Sequence, residues 1–174
     1  MSEETGDDWV ETLERPYAKY LLWTGLAAFG SVALAVGLQF YADMQPCAWC
    51  TLQRLLYLII GAGAFAAWAL ADSPRAARVV SVVPLLAAFS GLAAAIYQHF
   101  VAAESLSCDL TFADKVIAGM GLDRQLPWLF EARAMCDEAN MPLLGLPFSI
   151  WSAILFAMLA TLLSITVFSR GSLR

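Results

Sequence analysis

The stretch DMQPCAWCTLQRLLYLIIGAGAFAAWALA, residues 43–71, joins a Cys-x-x-Cys pair directly to an apolar segment. The apolar part, residues 55–71, contains no Asp, Glu, Lys or Arg and is typical of a membrane-spanning helix. It is short for such a helix, so we expect it to take its first turn from the residues that carry Cys47, Cys50 and Arg54. The sequence therefore predicts a helix with a cysteine pair at one membrane boundary.

The rest of the chain has the same character. Of its 174 residues 60% are hydrophobic and 14% charged, with a mean hydropathy of +0.67, which indicates lipid as the solvent for most of the chain. Four stretches approach the ~20 apolar residues that a spanning helix needs, at about 20–40, 55–71, 79–98 and 148–168. We predict an all-α membrane protein, a four-transmembrane-helix bundle that forms one integral domain over residues 1–174.

The basic residues predict the orientation. With four spans both termini share one side, and that side would carry Arg15, Lys19, Arg75, Arg78, Arg170 and Arg174. The other side would carry only Arg54, Lys115, Arg124 and Arg133. Positive residues favour the cytoplasm, so we expect cytoplasmic termini and outward loops at 41–54 and 99–147. The net charge of -5 gives no support to nucleic-acid binding.

All four cysteines, Cys47, Cys50, Cys108 and Cys136, fall in these outward loops or at their edges. That side would be the oxidising face of a bacterial inner membrane. Two structural disulfides are one interpretation, as is one structural disulfide beside an incidental Cys-x-x-Cys pair. A metal site is less favoured, because Cys108 and Cys136 lack knuckle spacing and His99 is the only histidine.

A further interpretation of the cysteines is redox chemistry. Two cysteines separated by two residues can close a small ring that a thiolate reopens easily. Cys108 and Cys136 would instead close a large ring in a long outward loop, where a soluble protein could reach it. Two such disulfides in series suggest an electron relay.

Arg54 fits this interpretation. With Pro46 near the helix start, Cys50 falls in the first turn and Arg54 lies four residues later on the same face. The helix N-terminus and the guanidinium would both favour a thiolate at Cys50, or an anion beside it, and a reduced quinone is the anion most available at that depth. The alternative is an interfacial arginine that extends its head group to water.

The long loop carries a second pattern. Phe112, Val116, Ile117 and Met120 are near helical spacing and predict a short amphipathic helix on the membrane surface, with LPWLF, residues 126–130, as an aromatic anchor.

In these features the sequence resembles the disulfide bond formation protein B (DsbB) family. The resemblance rests on four spans, PCAWCTLQR leading into the second, CDL and CDE in the long loop, and LGLPFSIWS at the fourth. It implies a quinone-dependent protein thiol:disulfide oxidoreductase of the bacterial inner membrane, with ubiquinone or menaquinone as cofactor and a periplasmic DsbA-like thioredoxin-fold oxidase as partner.

The resemblance also implies the order of the relay. The reduced partner would attack Cys108 in a Cys108–Cys136 disulfide, and Cys136 would then attack Cys47 and free Cys50 beside the quinone. Arg54 would match the family arginine that supports the quinone site, and His99 a quinone-side histidine.

Three alternatives stay open at this point. One is a vitamin K epoxide reductase-like enzyme, in which the loop pair precedes the Cys-x-x-Cys pair instead of following it. Another is a disulfide-stabilised membrane scaffold or transporter subunit. The third is a paralogue with the same chemistry that serves one dedicated oxidase.

Overall fold

The computed structural model describes residues 16–103 and 111–168. Four helical segments in these ranges are long and apolar enough to cross a membrane: Tyr17–Tyr41, Ala48–Ala69, Pro74–Ala102 and Phe148–Phe168. The prediction of an all-α, multi-pass membrane protein with four spans is therefore confirmed. Cys108 lies in 104–110, outside the described residues.

The helices and strands follow in chain order. They are α1 (Pro16–Tyr41), α2 (Ala48–Ala69), α3 (Pro74–Val80), α4 (Val82–Tyr97), a π-helical turn (Gln98–Ala102), α5 (Phe112–Gly119), α6 (Leu122–Gln125), α7 (Pro127–Phe130), α8 (Cys136–Ala139), β1 (Pro142–Leu143), β2 (Leu146–Pro147) and α9 (Phe148–Phe168). The two strands form an antiparallel hairpin that leads directly into α9.

Helix α2 is the central helix of the bundle. It packs against both α1 and α4, while α9 packs against α4 and, to a smaller extent, α1. The helices approach each other closely where one of them has a small residue, as expected in lipid, where the hydrophobic effect does not drive helices together. At Gly91 of α4, an added Cβ would lie 2.2 Å from the ring of Phe156 on α9, so this crossing requires glycine. Phe156 in turn stacks on Tyr57 of α2 with ring centroids 4.0 Å apart.

The third span is not one uninterrupted helix. A turn at Ser81 separates α3 from α4, and there the Ser81 hydroxyl donates to the Ala77 carbonyl at 2.7 Å. After Tyr97 the helix widens into the π turn, which begins with Gln98 and His99. Such turns are rare and frequently occur at functional sites.

The helix bounds differ from those estimated from hydropathy. Helix α2 begins at Ala48 rather than Leu55, and the third span begins at Pro74 rather than Val79. In both cases the extra residues form the first one or two turns of the helix and include polar or charged side chains, as we expected for α2 from its short apolar stretch. Hydropathy alone does not detect such turns, although their backbone is helical.

The long loop contains a helix where the spacing predicts one. Helix α5 has a capping box, in which the Thr111 side chain accepts from the Asp114 amide and the Asp114 carboxylate accepts from the Thr111 amide. Ile117 is buried, whereas Phe112 and Met120 are exposed, and contact with a membrane surface stays a prediction.

The segment LPWLF, residues 126–130, does not act as an aromatic anchor along its whole length. Trp128 is exposed, but Leu129 and Phe130 are buried in the protein core. They pack inward because α7 lies against α2.

Candidate active site

The N-terminus of α2 holds the Cys-x-x-Cys pair. Cys47 is the N-cap residue with an extended backbone, and its sulfur accepts the Cys50 amide N–H at 3.4 Å. The two sulfurs lie 2.9 Å apart, and both cysteines are free thiols. Pro46 precedes the cap and is outside the helix, and Cys50 lies in its first turn. A sulfur therefore occupies the position that a Ser or Asp usually takes at a helix N-cap.

The loop segment before α8 brings a third cysteine to the same place. The Pro46 carbonyl accepts from the amides of Arg133 and Ala134, at 2.9 and 3.2 Å. The chain then turns into α8, whose first residue is Cys136. Cys136 packs against the buried cluster that contains Cys47, close enough for the two thiols to influence each other's ionisation. Two cysteines 89 positions apart in sequence thus lie together at the start of α2.

The Cys47 and Cys136 thiols differ in acidity because of this arrangement. The hydrogen bond with Cys136, the hydrogen bond with Cys50 and burial together raise the pKa of Cys47 well above its usual range. The pKa of Cys136 is lowered, chiefly by the hydrogen bond from Cys47 and also by the Trp49 backbone N–H. Since the thiolate is the nucleophile, Cys136 is the better prepared of the two to attack and Cys47 to be attacked.

This difference predicts a pH dependence. Replacing Cys47 by Ala removes the S–H donor that lowers the pKa of Cys136, so the Cys136 thiolate should form only at higher pH. Alkylation of the fully reduced protein over a pH series, quantified for the Cys136 peptide by mass spectrometry, measures the shift. An unchanged pH profile for Cys136 in Cys47→Ala would mean that the Cys47 hydrogen bond does not control its ionisation.

Arg54 is inside the bundle. It is 5% exposed, and its Nη1 atom donates to the Gln39 side-chain oxygen at 2.8 Å and to the Leu129 carbonyl at 3.0 Å. The Gln39 amide also donates to the Trp128 carbonyl at 3.3 Å. The guanidinium therefore joins α1, α2 and α7, and it does not extend to water as an interfacial arginine would.

A cavity of about 440 Å³ opens beside Cys50 and Arg54. Gln53, Tyr57 and Ser152 contribute further polar groups to its wall. The rest of the lining is mainly apolar and includes Val32, Leu38, Met141, Trp151, Leu155 and Met158. Its size is within the ~300–1,000 Å³ of typical small-molecule sites, and an apolar wall with a few convergent polar groups is their usual composition.

A chain of buried polar side chains connects this wall to the cysteines. The Gln98 amide nitrogen lies 3.3 Å from the Cys50 sulfur and 3.5 Å from the Cys47 sulfur. Gln98 accepts from the Gln53 amide at 2.6 Å, and Gln53 accepts from the Ser152 hydroxyl at 2.6 Å. The Tyr57 hydroxyl lies 3.0 Å from the Ser152 hydroxyl. Sequence reasoning missed these residues, although uncharged polar residues within apolar spans were the available signal.

His99 is placed apart from this arrangement. Its Nδ1 atom lies 3.1 Å from the Ser149 hydroxyl, and its ring packs edge-on against Phe100. It is not among the residues that line the cavity. The structure thus brings together Cys47, Cys50, Cys136 and Arg54, but not His99.

Comparison with known proteins gives a consistent result. The family described as disulfide bond formation protein DsbB matches residues 17–166. The chain is 30% identical to disulfide bond formation protein B 2 of Burkholderia lata over 155 residues, which cover 88% of this chain and 90% of the relative. It is 29% identical to disulfide bond formation protein B of Cupriavidus necator over 152 residues, or 87% of this chain and 92% of the relative. The corresponding protein of Nitrosospira multiformis is 28% identical over 150 residues, or 85% and 89%.

Proposed function

The chain belongs to the family of disulfide bond formation protein DsbB, whose members are thiol:disulfide oxidoreductases, and from this premise we propose the route of its electrons. The donor is a periplasmic DsbA-like thioredoxin-fold oxidase in its dithiol form. The electrons pass through the Cys108–Cys136 disulfide and then through Cys47 and Cys50. The final acceptor is a membrane quinone, and the product on the outward face is an oxidised partner ready to form disulfides in other proteins.

Each step of this route except the last exchanges one disulfide for another. The partner thiolate attacks Cys108, forms a mixed disulfide and releases the Cys136 thiolate. Cys136 attacks Cys47, and Cys50 leaves as a thiolate. The partner's second thiol attacks the mixed disulfide, which releases the oxidised partner and the Cys108 thiolate. Cys108 then attacks Cys136 in the Cys136–Cys47 disulfide, which re-forms the Cys108–Cys136 disulfide and frees Cys47. Re-forming the Cys47–Cys50 disulfide then sends two electrons and two protons to the acceptor.

One observation carries the proposal. Cys136 packs against the buried cluster that contains Cys47, the Cys47 sulfur lies 2.9 Å from the Cys50 sulfur, and Cys50 lines the cavity. These three cysteines thus lead from the loop before α8 to a site between the helices. Pro46 supports it by holding the loop against the start of α2 through two backbone hydrogen bonds.

The cavity fits a quinone head group. Its apolar wall would receive the flat ring, while Cys50 and Arg54 lie along its α2 side. A bound quinone would supply the two-electron, two-proton acceptor that the cysteines need. Arg54 would stabilise negative charge on the Cys50 sulfur or on the ring oxygen beside it, since a buried cation acts strongly on charge in a water-poor site. His99 would have a lesser effect, exerted from the outer end of the third span.

Turnover with a defined donor and acceptor tests the proposal. The purified protein should consume quinone when a dithiol thioredoxin-fold oxidase is supplied, with one quinone reduced per partner disulfide formed. Ubiquinone and menaquinone analogues should be compared side by side by their absorbance. Cys50→Ser should abolish consumption, because the disulfide beside the cavity cannot re-form. Consumption that persists in Cys50→Ser would contradict the route.

We further propose that the protein lies in the bacterial inner membrane with both termini in the cytoplasm. The distribution of basic residues supports this orientation, and the exchange chemistry needs an oxidising face. A membrane-impermeant thiol reagent should label Cys136 in intact reduced cells. Labelling that requires broken membranes would reverse the orientation.

A further inference from the structure

The buried polar chain that ends at the two sulfurs is the feature that the proposed route leaves without a role. Gln98 is 1% exposed and Gln53 4%, and they lie on different helices of the bundle. Burying an amide costs free energy unless its donors and acceptors are satisfied. Each of these two amides is satisfied largely by the next member of the chain. Gln98 has sulfur atoms as the partners of its amide nitrogen.

The hydrogen bonds that link Ser152, Gln53, Gln98 and the sulfurs can run in either of two directions. In one, Ser152 donates to Gln53, Gln53 donates to Gln98, and Gln98 donates to the sulfurs. In the other, both amides are turned over, Ser152 accepts from Gln53, and the carbonyl of Gln98 faces the sulfurs. Which direction is favoured depends on the state of the sulfurs, because a thiolate needs a donor and is repelled by a carbonyl oxygen.

We propose that Gln98, held in place by Gln53 and Ser152, is a positioning residue that donates a hydrogen bond to the Cys50 sulfur and stabilises it as the leaving thiolate at the cavity wall. This inference rests on the proposed function, since it assigns the residue that prepares Cys50 for its role in the relay. Arg54 contributes charge but makes its hydrogen bonds to Gln39 and Leu129. Apart from Cys47, whose sulfur lies 2.9 Å away and is itself a partner in the exchange, the direct side-chain donor to the Cys50 sulfur among the described residues is Gln98.

The position of Gln98 in the π turn supports this role. The turn directs Gln98 inward, where it is buried, while the next residue, His99, contacts Ser149 on α9. The inward side chain reaches both Cys47 and Cys50 from the opposite helix. One amide group has two N–H donors, so it can serve both sulfurs as the disulfide opens and closes.

The test uses the full chain with Cys47, Cys108 and Cys136 replaced by Ser, so that Cys50 is the only thiol. Its rate of alkylation by a small reagent is measured over a pH series, with neither quinone nor partner present. Gln98→Met keeps the length of the side chain without the donor. It should move the half-reaction pH upward by about one unit, equivalent to about a tenfold lower thiolate population at lower pH, or about 1.4 kcal/mol.

Two further variants complete the design. Gln53→Met does not touch Cys50 but releases Gln98 from its partner, so it should give a smaller shift in the same direction. Gln125→Met, on the exposed helix α6, makes the same substitution away from the sulfurs and should leave the profile unchanged. If Gln98→Met does not fold, Gln53→Met carries the test alone.

The readout separates a positioning role from a structural one. A shifted pH profile with the same limiting rate at high pH supports the inference. An unshifted profile overturns it, and so does a rate that falls equally at every pH, because that reports access rather than charge. An unshifted profile beside normal quinone turnover in the four-cysteine protein would remove only this inference. Absent turnover in that protein would remove the proposed function instead.

Discussion

Replacing Cys136 by Ser is expected to make a mixed disulfide between Cys108 and the soluble oxidase accumulate. When the oxidised partner is supplied, the Cys108 thiolate attacks its disulfide, and one partner thiolate is released. In the unaltered protein Cys136 would attack Cys108 and release the partner again. Without Cys136 the mixed disulfide can be reopened only by the partner's own second thiol, so an excess of oxidised partner should raise the complex from a trace to a major band on a non-reducing gel.

The matched variant is Cys108→Ser, in which Cys136 is the remaining loop cysteine. We expect it to form no comparable complex, because Cys136 is partly buried against Cys47 and the start of α2. Equal trapping by the two variants would show that the partner reaches either cysteine, and the order of attack proposed here would be wrong. Since Cys108 lies outside the described residues, this experiment is also the direct test of its role.

Replacing Arg54 by Met should lower quinone turnover by on the order of 10²-fold, the usual effect of losing one charge-stabilising donor from an active site. Met retains much of the apolar stem but loses the charge and both hydrogen bonds, to Gln39 and to the Leu129 carbonyl. The proposed attack on Cys108 by the partner should be nearly unchanged, because Cys108 belongs to the segment between the third and fourth spans and Arg54 to α2. Initial rates of quinone absorbance loss measure the first effect, and the gel assay measures the second.

Three control variants separate the effect of losing the Arg54 charge from an effect on folding. Arg54→Lys should recover part of the turnover, since it restores a charge without the planar guanidinium. Gln39→Leu removes a hydrogen-bond partner of Arg54 but keeps the charge, and it should cost less than Arg54→Met. His99→Ala should also cost less, because His99 does not line the cavity. Full turnover in a folded Arg54→Met protein would make this arginine a purely structural link between helices.

The four spans could be predicted from the sequence because length and hydropathy are local properties. The turn at Ser81 has a sequence signal in Pro84, which has no N–H for the carbonyl four residues earlier, whereas the π turn at Gln98 has no such signal. The start of α2 at Ala48 could be predicted from the sequence only in part. Spacing placed Cys50 in a first turn, but it could not show that the Cys47 sulfur itself caps the helix.

The same limit applies to the site. Cysteine spacing and the position of Arg54 four residues after Cys50 identified candidates, because helical periodicity relates nearby residues. The partners of Arg54 come from α1 and from the loop, 15 and 75 residues away. The Gln53–Gln98 hydrogen bond spans 45 residues. Such pairs are set by how the helices pack, and one sequence carries no signal for their register.

Composition alone also gave an incomplete prediction for residues 126–130. LPWLF has the composition of an interfacial anchor, yet Leu129 and Phe130 are part of the core and the Leu129 carbonyl is a partner of Arg54. A backbone carbonyl has no signature in sequence. The loop that was expected to anchor at the membrane thus also completes the site.

Locating the bound quinone tests the proposed electron route at its last step. A photoreactive azidoquinone can be bound to the purified protein, activated by light with and without excess unmodified quinone, and mapped by mass spectrometry of peptides. We expect labelling that the unmodified quinone suppresses, on the cavity faces of α1 around Val32–Leu38 and of α9 around Trp151–Met158. Suppressible labelling at Tyr97–Phe100 instead, or only at lipid-facing residues such as Trp23 and Phe89, would contradict it.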